Sequence, residues 1–353
     1  MDTLSEKETV KKKISFKKVF MGIILTLLAV FFILILVAFA FEDKIADLFL
    51  QKTYQFTTTE VSHKDVNLSL LRKFPFASLE IDELQAQGFD KEISLLEAEK
   101  VFLQFNVLDI IKGNYTITKI EIDHAIFNMV IDPKGKNNWN VFITEDTVSD
   151  DNFHLDLNAI ELKNITYNYI DKNADFQFSA DIHHLNAKGD YDRQIISAKV
   201  NTKLIVNHIL NAQDTLISQQ IVKFNTQLMI NLKTDVYQLT NSNFIFDFMK
   251  CNIVAKMASC SLDDYLIEAQ FTTDKADIAA ITKLLPDNIK KQLVNYKPKG
   301  YVACSINLEG LLGENSTYAI NGKYQIEDMN ISNIQTDISL SKINIEGSRP
   351  TLS

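Results

Sequence analysis

Apolar and polar residues alternate along this chain from about residue 53 to its end. Val101, Leu103 and Phe105 stand two residues apart, as do Phe244 and Phe246. Successive side chains of a β-strand point to opposite faces, so each such run predicts a strand with one apolar face. About sixteen runs of this kind occur, and many are about 8 to 12 residues long, beyond the usual strand of about 5 or 6. The sequence therefore predicts a mainly β protein built on a very long antiparallel sheet.

A sheet of this size needs something to cover its apolar face. Sheets of more than about ten strands normally curl, split into two layers or close into a barrel. The sequence offers one short helical element, near 277–293, in which Asp277 can cap a helix that Pro286 ends. Such an element is too small to cover the face of the predicted sheet.

The N-terminal part of the chain has a different pattern. Residues 1–18 carry six lysines against three acidic residues, and residues 19–41 form a run of 23 residues without a charge. A helix of that length spans about 35 Å, enough to cross a hydrocarbon core of about 30 Å. We expect a transmembrane helix with 1–18 in the cytoplasm, a helical linker over 42–52, and a body over 53–353 on the far side. A cleaved signal peptide is the alternative, although signal h-regions run only about 7 to 15 residues.

Composition and motif content argue against nucleic-acid binding and catalysis. The formal net charge is −9, which gives no favourable field for phosphate backbones. The sequence contains no phosphate-loop, nucleophile-elbow or zinc-protease motif. His183 and His184 are adjacent on a predicted strand and point to opposite faces, so they cannot chelate one metal ion. We therefore expect no enzymatic activity, no cofactor and no metal.

The chain contains three cysteines, Cys251, Cys260 and Cys304. So few cysteines, and an odd number of them, do not make a disulfide scaffold. One disulfide pair stays open as an alternative, and buried free thiols on strands are the favoured prediction.

The clearest local motif lies at residues 115–142, YTITKIEIDHAIFNMVIDPKGKNNWNVF. Its alternation predicts two strands, and the parity of the pattern changes between them at His124. The second strand is predicted to end in a tight turn from Asp132 to Gly135. Trp139 is the only tryptophan of the chain, and we expect its ring to pack beneath this turn with the indole N–H satisfied nearby.

The order of basic head, membrane span and strands that end in this turn resembles the AsmA family of inner-membrane-anchored periplasmic proteins. In that family a strand pair commonly ends in an acidic residue, a glycine and Asn-Trp. The matching positions here are Asp132, Gly135, Asn138 and Trp139. The stretch NVLDIIKGNYTITKIEI at 106–122 and the Leu-Leu-Pro-Asp element at 284–287 are similar to segments of these proteins as well.

The resemblance implies a repeating β-groove, a strongly curved antiparallel sheet whose concave face is apolar throughout, similar to the chorein-type bridge-like lipid transfer proteins. Acyl chains would cover that face, since burial of apolar surface stabilises by about 25 cal/mol per Å². The residues that we expect to line the groove are Val101, Leu103, Phe105, Ile120, Ile122, Phe127, Met129, Ile131, Phe224, Leu228, Ile230, Phe244, Phe246, Phe248, Ile267 and Phe271. The plainer alternative is that each of them packs in a closed core.

These observations lead to a functional hypothesis and one rival. The hypothesis is a non-enzymatic, single-pass protein of the cell inner membrane whose periplasmic body binds and conducts phospholipid, supporting outer-membrane lipid homeostasis and envelope biogenesis. The rival is an envelope assembly scaffold that recruits outer-membrane assembly proteins through an open sheet edge. A membrane-fusion adaptor is disfavoured because no sustained heptads occur. The chain stops just after a predicted strand, so we expect either truncation at Ser353 or a docking edge there.

Overall fold

The structure is a computed structural model. It describes residues 59–69, 76–88, 93–106, 109–110, 112, 114–139, 153–191, 194–212, 214–246, 249–261, 264–282, 290–291, 293, 295–312, 317–333 and 338–349. The predicted transmembrane helix and its linker lie outside these residues. Within the described ranges, no helix combines the length and the apolar character that a membrane span requires.

Fifteen strands form one open, curved sheet, which confirms the predicted mainly β architecture. The strands are β1 (Val61–Ser62), β2 (Asp65–Ser69), β3 (Phe76–Gln87), β4 (Ser94–Asn106), β5 (Tyr115–Ile131), β6 (Phe153–Asp171), β7 (Phe176–Tyr191), β8 (Ile195–Asn211), β9 (Asp214–Asn231), β10 (Val236–Phe246), β11 (Lys250–Ser259), β12 (Tyr265–Asp277), β13 (Tyr296–Leu312), β14 (Thr317–Asn333) and β15 (Ile338–Arg349). From β3 to β15 each strand pairs with the next one in the chain, and β1 and β2 both pair with β3.

One strand pair corrects the prediction of a wholly antiparallel sheet. β5 and β6 run parallel, with Ile120 opposite Ile160 and Met129 opposite Tyr169, whereas every other pair described is antiparallel. Side chains alternate between faces in both kinds of pair, so the sequence pattern cannot distinguish them. β5 and β6 therefore begin at the same edge of the sheet, with Tyr115 opposite Phe153.

Five neighbouring strands share an aligned irregularity, which we call the crease. Its members lie side by side between regularly paired residues, one in each strand from β3 to β7: Glu83, Glu99, His124, Asn164 and His183. The backbone is left-handed at Glu83, His124 and Asn164, with φ of 51°, 51° and 53°. Because the crease inserts one residue into each strand, apolar residues on its two sides return to the same face although they are three apart. Ile122 and Ala125 are such a pair.

The crease also corrects the interpretation of the motif at 115–142. Two strands are predicted there from the change of parity, but the structure has one strand of 17 residues, Tyr115–Ile131. His124 absorbs the parity change as a left-handed residue inside that strand. The pattern located the irregularity correctly, and a strand break was the wrong interpretation of it.

The predicted helical element begins where the sequence places it. Helix α1 spans Ile278–Ile281, and the Asp277 side chain accepts a hydrogen bond from the Ala279 N–H at 2.8 Å. This is the geometry of an N-cap, which satisfies a backbone donor that the first turn leaves free. Residues 283–289 of the predicted element lie outside the described part of the chain.

The buried apolar core lies near the N-terminal end of the sheet. Its cluster of buried residues comes from β3 to β6 and the segment that joins β4 to β5: Ala77, Leu79, Ile81, Ala98, Val101, Leu103, Phe105, Ile110, Tyr115, Ile117, Ala125, Leu157 and Ile165. Residues Val66 and Leu68 of β2 pack against the same cluster. Burial of large side chains is therefore unequal along the sheet.

Candidate functional site

One face of the sheet is apolar across all the strands from β3 to β14. Residues paired across neighbouring strands lie on the same face, so the register traces that face from strand to strand. One row of partners runs Ile81, Val101, Ile122, Leu162, Leu185, Thr202, Phe224, Phe244. A second row runs Leu228, Leu239, Ala255, Ala269, Leu308, Ile320. Both rows meet on β9, and among their members only Thr202 carries a hydrogen-bonding side chain. We call this surface the apolar face.

The residues predicted to line a groove share this face. The structure describes all of them except Phe248, which lies outside the described ranges. The register places the other fifteen on the apolar face: Val101, Leu103, Phe105, Ile120, Ile122, Phe127, Met129, Ile131, Phe224, Leu228, Ile230, Phe244, Phe246, Ile267 and Phe271. Residues from strands far apart in the chain are thus brought to one side of one sheet.

The apolar face is closed over β3 and β4, which we call the sealed segment. Large side chains disappear from the surface there, with Leu79, Ile81 and Phe105 at 0% exposure. Val101 and Leu103 are buried beside them in the same cluster. The side chains of Val101, Leu103 and Phe105 therefore pack against protein and offer no open surface.

From β7 onwards the apolar face is accessible, and we call β7 to β15 the open segment. Its large side chains, such as Leu204, Phe224 and Phe271, are half-buried. The fully buried apolar residues on this face from β7 to β12 are smaller: Ala180, Ala187, Ala198, Val206, Val222, Cys251 and Ala276. The fully buried residues of this face are small, and the large ones are only half-buried. No described strand packs over this part of the face, so space remains above it.

Exposure increases further at the C-terminal end of the open segment. Large apolar side chains on β13 to β15 stand out of the sheet on the apolar face: Ile306, Tyr318, Ile320, Tyr324, Leu340 and Ile345. Ile320 is 41% exposed and Leu340 is 58% exposed. None of these six is in the predicted set, although Ile306 belongs to a run with the same alternation as the others. The same alternation could therefore have predicted that Ile306 lies on the apolar face.

An aromatic cluster lies on the apolar face where β5 and β6 end and β7 begins. The rings of Trp139 and Tyr169 have centroids 6.1 Å apart, and Tyr169 and Phe176 are also 6.1 Å apart. The Tyr167 hydroxyl donates to Met129 Sδ at 2.9 Å. Burial raises the pKa of both Tyr167 and Tyr169, so these phenols stay neutral and bring no charge to the apolar face.

The turn at 132–139 is held by its own polar groups. The Asp132 carboxylate Oδ1 accepts the backbone N–H groups of Lys134 and Lys136 at 2.8 and 2.9 Å. The bond from Lys136, opposed by desolvation and aided by the bond from Lys134, lowers the pKa of this carboxyl. Gly135 has a φ of 82° and donates its N–H to the Asp132 carbonyl at 3.0 Å. The positive φ accounts for glycine at this position.

Asn138 fastens the turn to β5. Its Oδ1 accepts the Val130 N–H and its Nδ2 donates to the Asn128 carbonyl, both at 2.8 Å, while its own N–H donates to the Val130 carbonyl at 2.9 Å. The side chain is buried, with 1% exposure. A Cβ on Gly88 would lie 2.9 Å from the Asn138 Cβ, so the chain passes closely over it. The aspartate, glycine and asparagine of the motif thus build the turn, and Trp139 follows it into the aromatic cluster.

The opposite face of β3 to β9 carries charge. One row of partners consists entirely of ionisable residues: Asp82, Lys100, Asp123, Lys163, His184, Lys203 and Lys223. Beside it, Glu161 accepts hydrogen bonds from Lys119, from His184 at 3.2 Å and from Lys163 at 3.2 Å. Burial works to raise the pKa of Glu161, but the bonds from Lys119, His184 and Lys163 outweigh it and lower the pKa to about 2. Over β3 to β9 the face opposite the apolar face therefore carries a continuous row of ionisable side chains.

The three cysteines are unpaired, as the favoured prediction has it, but only Cys251 is buried. Burial raises the pKa of the Cys251 thiol to about 11 and also raises that of Cys304. Cys251 and Cys304 lie on the apolar face and stay in the neutral thiol form there. They contribute small apolar surface and no nucleophile.

No group of three or more potential metal-ligating residues occurs among the described positions. Comparison with known proteins adds no information about chemistry, because no family model, curated protein or solved structure matches this chain. The functional argument therefore depends on the geometry of the apolar face.

Proposed function

We propose that this chain is a membrane-anchored lipid carrier whose apolar face binds phospholipid acyl chains and conducts phospholipid in the cell envelope. The observation that carries the proposal is the apolar face itself, continuous by register from β3 to β14 of one open sheet. Soluble monomers rarely leave contiguous apolar patches of more than a few hundred Å² exposed. An apolar ligand relieves that cost at about 25 cal/mol per Å² covered.

The location assigned to the protein rests on the sequence. A basic head followed by 23 uncharged residues is the pattern of a single membrane span with a cytoplasmic N-terminus. The motif that resembles the AsmA family supports the same assignment, since inner-membrane anchoring and a periplasmic β body are expected of that family. Envelope lipid homeostasis is the process that such a carrier would serve.

A pair of adjacent substitutions tests the proposal. Ile267 lies on the apolar face, opposite Met257 and Gly310, while its neighbour Leu266 lies on the other face with 52% exposure. We expect Ile267→Asp to slow phospholipid transfer at least about tenfold, because a carboxylate in the path of acyl chains must be desolvated or kept charged in an apolar site. Leu266→Asp should leave transfer unchanged.

The measurement is transfer of fluorescent phosphatidylethanolamine from donor vesicles that hold the full chain to acceptor vesicles. Circular dichroism of both variants shows that the sheet is intact. Equal transfer by the two variants, or no transfer by the unmodified chain, would contradict the proposal and leave the assembly scaffold as the better account.

A further inference from the structure

We infer that lipid occupies only the open segment, β7 to β15, and that the sealed segment, β3 and β4, is a lipid-free end of the apolar face. This inference rests on the proposed function and restricts it. It implies that phospholipid enters and leaves along the open segment and never passes the full length of the sheet.

Burial separates the two segments. Leu79, Ile81 and Phe105 have no exposed surface, so the apolar face has no space for a ligand over β3 and β4. On β14 and β15, Ile320 and Leu340 are 41% and 58% exposed. The change falls over β5 and β6, where a buried side chain such as Ile165 stands beside half-buried ones such as Leu162.

The chemistry of the open segment selects an acyl chain over a peptide as the occupant. The row from Leu228 to Ile320 carries no hydrogen-bonding side chain. The backbone groups of the strands beneath are already paired within the sheet. A peptide laid on this surface would leave its own N–H and C=O groups without partners, which is costly away from water. An acyl chain has no such groups to satisfy.

The open segment is also long enough for lipid. Nine strands spaced about 4.8 Å apart extend about 38 Å, whereas one acyl layer takes up about half of a hydrocarbon core of about 30 Å. More than one phospholipid therefore fits along the segment, with the head groups held in water beside it.

Single-cysteine variants of the full chain test where lipid lies. The background is Cys251→Ala, Cys260→Ser and Cys304→Ala, and the probe is a phospholipid with a maleimide at the end of one acyl chain, in phosphatidylethanolamine and phosphatidylglycerol vesicles. The matched substitutions are Ala98→Cys in the sealed segment, Ala269→Cys in the open segment and Ala258→Cys on the opposite face. All three replace alanine, so the change in volume is small and equal.

We expect Ala269→Cys to be labelled at least about tenfold more than either Ala98→Cys or Ala258→Cys. A second open-segment variant, Ile320→Cys, should be labelled as strongly as Ala269→Cys. Labelling of the thiols after denaturation shows that every cysteine is present and reactive, and circular dichroism shows that each variant is folded.

Two other outcomes would overturn the inference, and they can be told apart. Equal labelling of Ala98→Cys and Ala269→Cys, with phospholipid transfer intact, would place lipid in the sealed segment and leave the proposed function standing. Absence of labelling at every position together with absence of transfer would remove both the inference and the proposed function.

Discussion

Asn138 shows how one side chain can take the place of a strand. The pairing of β5 with β4 reaches Phe127, and a few residues further on the Asn138 amide bonds the Val130 N–H and the Asn128 carbonyl. An unpaired strand edge invites association with other chains. Asn138 satisfies that edge locally, which gives the asparagine of the motif a structural role.

Loss of the Asn138 amide should destabilise the fold. Asn138→Ala leaves the Val130 N–H and the Asn128 carbonyl without their partners in a buried site, at an expected cost of about 2 to 3 kcal/mol in the free energy of unfolding. Urea denaturation followed by the fluorescence of Trp139 measures it. Lys134→Ala, in the same turn, is the control, because Lys134 is exposed and alanine keeps the N–H that bonds Asp132. Equal stability of the two variants would refute this role of Asn138.

At the scale of residues, the sequence predicted the face of a side chain well and its burial poorly. Parity alone placed Phe105 and Ile267 on the same side of the sheet, where the register puts both. Parity contains no information about what covers a residue. Phe105 is buried and Ile267 is half-buried because of packing around β3 to β6, which depends on the tertiary structure.

At the scale of strands, hydrogen bonds to one carboxylate join β5, β6 and β7 on the face opposite the apolar face. Glu161 of β6 accepts from Lys119 of β5, Lys163 of β6 and His184 of β7. Its folded pKa of about 2 lies below the value of about 4.3 for an unfolded glutamate. The folded state therefore binds fewer protons, and the stabilisation is present above about pH 4.5 and is lost as the pH falls towards about 2.

Substitution of Glu161 should change how stability depends on pH. We expect Glu161→Gln to lower the free energy of unfolding at neutral pH by up to about 3 kcal/mol, with the difference from the unmodified chain vanishing between about pH 4.5 and pH 2. Glu97→Gln, at an exposed position of β4, is the control and should follow the unmodified chain throughout. A constant difference across this pH range would show that titration of Glu161 is not its source.

The strands also show which features of a sheet can be predicted from a sequence pattern. Period-two alternation predicted nearly the right number of strands and their long extent. The crease could be predicted from the sequence as well, because apolar residues three apart recur in five successive strands. Ile81 and Leu84 are one such pair, and Leu162 and Ile165 are another. Of these five positions, only the change of parity at His124 enters the sequence-based prediction. The parallel pairing of β5 and β6 cannot be predicted from the sequence pattern, since parallel and antiparallel pairs give the same alternation of side chains.

At the scale of the whole molecule, all pairing is local in sequence order. From β3 to β15 every strand contacts its neighbours along the chain, and all the described strands belong to one sheet. Stability in such an arrangement is approximately a sum over strands and their neighbours, as in repeat proteins. The core cluster adds to that sum only between β3 and β6 and their surroundings.

We expect protection from hydrogen exchange to be graded along the sheet. Amides of β4 and β5 should exchange slowest and amides of β15 fastest, because local opening needs little free energy where few apolar groups are buried. Mass spectrometry of peptides from the full chain measures the gradient. Uniform protection from β4 to β15 would mean that the sheet opens as one cooperative unit.

The linear order of strands has a mechanical consequence. If the two ends of the sheet are held apart, the load falls across the hydrogen bonds between strands, because those bonds run along the line that joins β3 to β15. Bonds loaded in this direction break one strand pair at a time, whereas strands pulled along their own length must break many bonds at once. Under tension the molecule would extend in steps from its C-terminal end and shorten again in reverse order as the force falls.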